Sequence, residues 1–325
     1  MPDFTVHKYS PAVKTQWDSF LASAKNATFL FQRDFMDYHT DRFQDHSLLI
    51  YKHNHLFALF PANVSDGHVY SHQGLSYGGL ILNEKARLDE VVMAFAKLLE
   101  HYHAQGFSTV EIKLLPGFYA TRPSGEMEYI LFLLNAKTVR TEVASLIDLS
   151  YPVKVHGSRK DGIRKAKNHN LVIDKTGDFK PFWDKILTPN LAARHKAKPV
   201  HTLQEITLLA TRFPENIKQY NVLKEGKIVA GCTIFETMTT AHVQYISADD
   251  DRQEHGALDF LFTQLITHDF LHKRYFDFGI SNEDGGKKLN VGLHSWKRGF
   301  GAQPFAQKTY HVDLTRPIHL KSVLI

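Results

Sequence analysis

The stretch HVQYISADDDRQEHGALDFLFTQLITHDF, residues 242–270, decides the fold. His242 to Ala248 has the β-branched and aromatic alternation of a strand, and a polar turn with one glycine follows. From Ala257 to His272, Leu258, Leu261, Phe262 and Leu265 recur on one side of a predicted helix. A glycine turn between a strand and a helix start can bring backbone N–H groups and the positive end of a helix dipole to one point, which suits a phosphate. A second strand, YFDFGIS (275–281), and then GLHSWKRGFGA (292–302) complete the pattern.

Working outward, helices are expected after Ser10-Pro11, from Glu84 to Gln105 ahead of Gly106, and after the capping box formed by Thr202 and Glu205. Hairpins are expected for 48–60, around Lys52 to His55, and for 219–235, around Glu225-Gly226. Each half reads helix, helix, antiparallel strands, a glycine turn, a long amphipathic helix and a closing strand, GFSTVEIKLL (106–115) in the first and RYFDFGIS (274–281) in the second. A repeated order of elements implies a duplicated mixed α/β domain. The junction is expected near Leu149 to Val153, where Pro152 interrupts a strand-like run, giving domains 1–150 and 151–325.

Composition agrees with two soluble domains. The 325 residues exceed what one core usually sustains, and 43% hydrophobic with 22% charged residues is ordinary for a globular protein. The start MPDFTVHKYS has no signal-peptide character and no apolar run is long enough for a membrane span, so a cytoplasmic protein is expected. The single cysteine, Cys232, precludes an intramolecular disulfide. None of the close histidine pairs carries an HExxH pattern, so no metal is expected. The absence of a Walker pattern speaks against nucleotide hydrolysis. The net charge of +5 favours anionic partners. The basic residues lack interleaved aromatics, so DNA is not expected among them.

Taken together, the order of elements resembles the GNAT acyltransferase fold, and two copies in one chain resemble its duplicated branch, the FemAB-like transferases and the related BioF2-like acetyltransferases. LSYGGLIL (75–82) is similar to that group's tyrosine-glycine-glycine segment, and SRKDGIRKAKNHNLVI (158–173) to its basic helix. RQEHGALDFL (252–261) is similar to the acyl-donor turn, although Leu258 stands where the pattern has glycine or alanine. FDFGIS with GLHSWKRGFGA resembles the closing strand and lysine-bearing segment.

The resemblance implies an N-acyltransferase that moves an acyl group from acyl-CoA, as co-substrate, to an amine of a small-molecule or cell-envelope precursor. The alternatives are a FemAB-type transfer from aminoacyl-tRNA to a peptidoglycan precursor and a catalytically inactive binding module. The donor is expected against Gln253, His255, Gly256 and Ala257 in the second domain. The first domain, whose own donor turn is degenerate, would hold the acceptor, a small-molecule or nucleotide-linked compound, through Tyr77 and Gly78, with Arg159 and Arg164 reaching it from the basic helix. Lys297 is expected to stabilise developing negative charge. Asp277, between Phe276 and Phe278, is either a proton acceptor or ammonium anchor, or a carboxylate tying down a loop.

Overall fold

The computed structural model describes residues 3–315 and 319–325. It divides into two compact units, Met1–Thr141 with Gln307–Ile325, and Glu142–Ala306. The expected boundary at 150/151 thus moves to 141/142, and residues 307–325 group with the first unit. Strand pairing accounts for the second difference. Lys137–Asp148 is one strand that ends before Pro152, and Thr309–Asp313 of the last strand pairs antiparallel with Thr109–Lys113 of the first unit.

In the first unit, Phe4–Lys8, Leu48–Lys52, His55–Phe60 and Ile81–Leu82 form an antiparallel sheet. The 48–60 hairpin turns through His53 and Asn54, both at positive φ, as a tight two-residue turn requires. Helix Leu88–Ala104 buries Val91, Val92, Phe95, Leu98, Leu99 and Tyr102 and stops at Gly106 (φ 86°).

In the second unit the strand order is Val172–Asp174, Ile217–Lys224, Lys227–Glu236, Thr240–Ala248, Tyr275–Ile280 and then Ala144–Asp148 of the strand Lys137–Asp148. All these neighbours are antiparallel except Thr240–Ala248 and Tyr275–Ile280, which are parallel and joined by the helical crossover 252–269. Their register runs Thr240↔Tyr275, Ala241↔Phe276, His242↔Asp277 and ends there, although both strands continue. The capping box forms as expected: Thr202 N–H donates to Glu205 Oε2 (2.7 Å) and Glu205 N–H to Thr202 Oγ1 (3.1 Å).

The expected helix 257–272 is broken into parts. A single turn, Arg252–His255, precedes Gly256 in the left-handed conformation, then comes Ala257–Gln264, and a π-turn at Leu265–Asp269 closes the segment. Ala257, Leu261, Phe262, Leu265 and Ile266 are buried in the core of this unit, where Cys232 is also fully buried. Leu258, expected on the buried face, is only partly buried.

Candidate functional site

The second unit holds a cavity of about 1180 Å³. Its walls come from five segments: the basic helix Gly157–Asn168, the end of strand Thr240–Ala248, the turn and helix start 252–259, helix Thr188–His195, and the closing helix Val291–Arg298. Each wall is fixed by identifiable forces.

The basic helix packs on the helix Ala257–Gln264 through glycine. Gly256 has φ 65°, and a Cβ placed on it would lie 2.1 Å from the carbonyl oxygen of Gly162. A Cβ on Gly162 would in turn collide with the Asp259 carboxylate. Small residues permit this backbone approach, and Ala166, one turn further along, is fully buried beside them. Asp259, which is 13% exposed, accepts from Arg159 Nη1 (2.7 Å) and Trp296 Nε1 (3.0 Å) on one oxygen. Burial pushes its carboxyl above the usual range, while Arg159 and Trp296 pull the other way. One carboxylate thus joins three of the five walls.

The closing helix is placed by aromatic packing. Trp296 sits edge-on to Phe262 (5.5 Å), Phe278 (5.6 Å) and Phe300 (5.0 Å), and Asn290 caps the helix by accepting from Leu293 N–H (3.0 Å). With Trp296 fixed, the next side chain, Lys297, turns inward. It is 2% exposed, and its Nζ donates to the carbonyls of Gly279 (3.0 Å) and Ile280 (2.6 Å) at the end of strand Tyr275–Ile280. Burial lowers its pKa to about 8, with Asp277 opposing the shift.

Asp277 is fully buried. Its Oδ1 accepts from Gly279 N–H (2.7 Å), and its Oδ2 lies 2.8 Å from His242 Nδ1. The register His242↔Asp277 sets the two side by side, at the last paired position before the strands part.

Against the sequence expectations, Gln253, Gly256 and Arg159 line the cavity. The amide cradle expected around Gly256 takes a different form. Gly256 N–H donates to Arg252 O (3.0 Å) and His255 N–H to Asp251 O (3.0 Å), because the turn closes into a short helix. His255 is buried, with Nε2 3.0 Å from Lys224 Nζ and its ring edge-on to His169, and Ala257 is fully buried in the core; neither lines the cavity. Arg164 is exposed and paired with Asp161, and the cavity takes Arg159 and Lys165 from the basic helix instead. The glycine contact sets this rotation.

Tyr77 and Gly78 belong to the first unit. Tyr77 is buried, its hydroxyl donating to Thr28 Oγ1 (3.1 Å) and its ring packed on Tyr119 and Phe31. A Cβ on Gly78 would meet Ser71 O at 2.0 Å, so close strand packing accounts for that glycine.

Sequence reasoning passed over Arg194, Arg252, Arg298 and Asp259, which line the cavity, and over His242, which pairs with Asp277. Asp259 left one trace, a carboxylate within the apolar run Leu258 to Phe262. His242 left none, since only register pairs it with Asp277. Asn190 donates to Ser247 Oγ (2.8 Å) and Ala248 O (2.7 Å), tying helix Thr188–His195 to the strand end. Among the described residues, no group of three or more His, Cys, Asp or Glu could hold a metal ion, and no helix is long and apolar enough to cross a membrane.

Full-length structural similarity accompanies this geometry. The crystal structure of FemX superposes with a TM-score of 0.67 at 9% identity, covering 98% of this chain and 99% of that one. The C-terminal domain (DUF2156) of a putative lysylphosphatidylglycerol synthetase from Agrobacterium fabrum gives 0.60 at 12% identity, with 97% and 96% covered. A tandem GNAT protein from the clavulanic acid biosynthesis pathway gives 0.56 at 12% identity, with 97% and 100% covered. No protein-family model and no curated protein sequence matches the chain. The fold is therefore that of the tandem GNAT proteins, a mixed α/β architecture shared with FemX.

Proposed function

We propose that this chain is an N-acyltransferase that takes an acyl group from a thioester of coenzyme A and transfers it to an amine of a small-molecule or cell-envelope precursor. The observation that carries this reading is the charge of the second unit's cavity. Arg159, Lys165, Arg194, Arg252 and Arg298 line it, against the carboxylates of Asp161 and Asp259. A concave site of cofactor size with such an excess of cations suits a phosphate-bearing carrier.

With the His255 and Gly256 amides engaged in the short helix, the cavity's arginines would hold the phosphates, and Arg does so bidentately. Gln253 and Gly256 would contact the carrier from the turn. Lys297 would stabilise the oxyanion that forms at the acyl carbon. An ammonium has three donors, and two are on the Gly279 and Ile280 carbonyls. Calorimetric titration with acetyl-coenzyme A and longer acyl forms tests the reading: binding heat is expected, and silence at millimolar ligand sinks it.

A second reading, transfer from aminoacyl-tRNA, is favoured by the closed turn at Gly256. With the Gly256 amide turned to Arg252 O, a cation-lined cavity also suits the sugar-phosphate chain at a tRNA terminus. Transfer from charged tRNA, with binding that weakens steeply with salt, would select it over the coenzyme A reading.

A further inference from the structure

Two side chains, His242 and Asp277, meet where strands Thr240–Ala248 and Tyr275–Ile280 part, and Lys297 bonds the end of the second strand. Asp277 is 1% exposed at its side chain, and its two oxygens are engaged by Gly279 N–H and the His242 ring. His242 is 19% exposed. Lys297, on the closing helix, sits over the carbonyls of Gly279 and Ile280 on the same strand as Asp277. The difference in exposure decides which group can meet an incoming amine: the carboxylate is sealed, and the imidazole reaches the surface.

Resting on the acyltransferase reading above, we propose that His242 is the proton acceptor of the transfer and that Asp277 is its positioning residue. A carboxylate can only accept, so the His242 proton lies on Nδ1 and the lone pair on Nε2. A base held in one tautomer by a buried carboxylate is a recurring solution for taking a proton from a nucleophile. The left-handed turn at Gly279 (φ 69°) supplies the amide that fixes the carboxylate, and the position lies against the His242 ring, a Cβ there coming to 3.4 Å from Cε1.

In the step itself, the nitrogen of a neutral amine bonds to the acyl carbon of the thioester and the C–S bond breaks, its electron pair going to sulfur. The proton lost by nitrogen passes to His242 Nε2 and from there to the departing thiolate. The products are an amide and a free thiol, with the imidazole restored. Lys297 stays protonated throughout.

The test uses the full chain with acetyl-coenzyme A, or charged tRNA if transfer runs from it, and a panel of primary amines. Thiol or tRNA release gives kcat and KM as a function of pH, and calorimetry gives donor affinity. H242Q and H242N are expected to lower kcat by roughly a hundredfold or more while donor affinity changes less than about threefold. Both should lose the acidic limb of the pH profile and recover part of the rate with added imidazole. D277N is expected to slow the reaction yet keep that limb. If H242Q and H242N, both folded by circular dichroism, keep the wild-type rate and pH profile, His242 has no such role and the acyltransferase reading stands. A wild type that turns over neither donor with any amine overturns that reading and the role with it.

Discussion

Gly256 and Gly162 touch backbone to backbone across two helices, leaving no room for a side chain on the first: its Cβ would lie 2.1 Å from the Gly162 carbonyl oxygen. The glycine that looks in sequence like part of a phosphate turn serves in the structure to bring the basic helix against the long one. Arg159 and Lys165 thereby reach the cavity wall.

G256A therefore combines a left-handed backbone with a steric clash. A destabilisation of about 2–4 kcal/mol is expected, from the strain of the left-handed conformation together with overpacking. Urea unfolding measures it. An unchanged midpoint would show that the two helices are free to separate at no cost.

Asp259 joins Arg159 and Trp296, so D259A strands a half-buried guanidinium and frees the closing helix. A loss of about 2–4 kcal/mol is expected, with a change in Trp296 fluorescence and at least a tenfold loss of acyl-coenzyme A affinity. D259N, which can still accept from Trp296, should fall between D259A and the wild type in fluorescence.

Lys297 gives a stability signature in alkali. Its folded pKa of about 8 lies below the ordinary 10.5, so the unfolded chain binds the proton more readily. Stability should consequently rise as pH climbs from about 8 to 10.5, by roughly 3 kcal/mol at most. K297M should lack that rise in denaturant titrations across the window. It should also lose about a hundredfold in kcat, whereas a pure binding module would keep its ligand affinity unaltered.

His72 is the acid-sensitive counterpart in the first unit. It is buried, stacked on His39 at 5.3 Å, and burial, with His39 and Arg33 nearby, lowers its pKa to about 3. Below pH 6.5 the unfolded chain takes up a proton that the folded chain refuses until about pH 3, so stability is lost as pH falls through that window. The loss is on the order of 4–5 kcal/mol if the site stays intact. Because His72 has φ 74°, H72N is the compatible replacement. It should flatten the acid limb of thermal unfolding measured against pH.

The cavity cations should be separable from the exposed face of the basic helix. R298A and R252A are each expected to weaken carrier binding by about tenfold and to reduce its salt dependence. R164A, on an exposed residue outside the cavity, should bind as the wild type does. Equal losses in all three would place the anion on the outer face.

The chain's periodicities were enough to give the element order, both hairpins, the capping box at Thr202 and the duplicated mixed α/β architecture, since each rests on local spacing or turn chemistry. The basic character of the 158–167 segment was equally plain. Its cavity-facing side was not, because helix rotation depends on which small residues meet a neighbour, and Gly162 finds Gly256 only after both helices are packed. The same limit applies to Tyr77 and Gly78, whose surroundings are interior partners contributed by residues as distant as Thr28 and Ser71.

What the sequence alone determined is the kind of domain and the presence of a glycine turn, a lysine-bearing closing segment and a carboxylate on the FDFG strand. Tertiary structure decided their chemistry. Strand register set His242 beside Asp277, the Trp296 cluster turned Lys297 inward, and the Gly162–Gly256 contact aimed Arg159 at the cavity. Each of these depends on pairing between residues far apart in the chain, and one residue's shift in a strand, or a rotation of about 100° about a helix, would separate the same side chains.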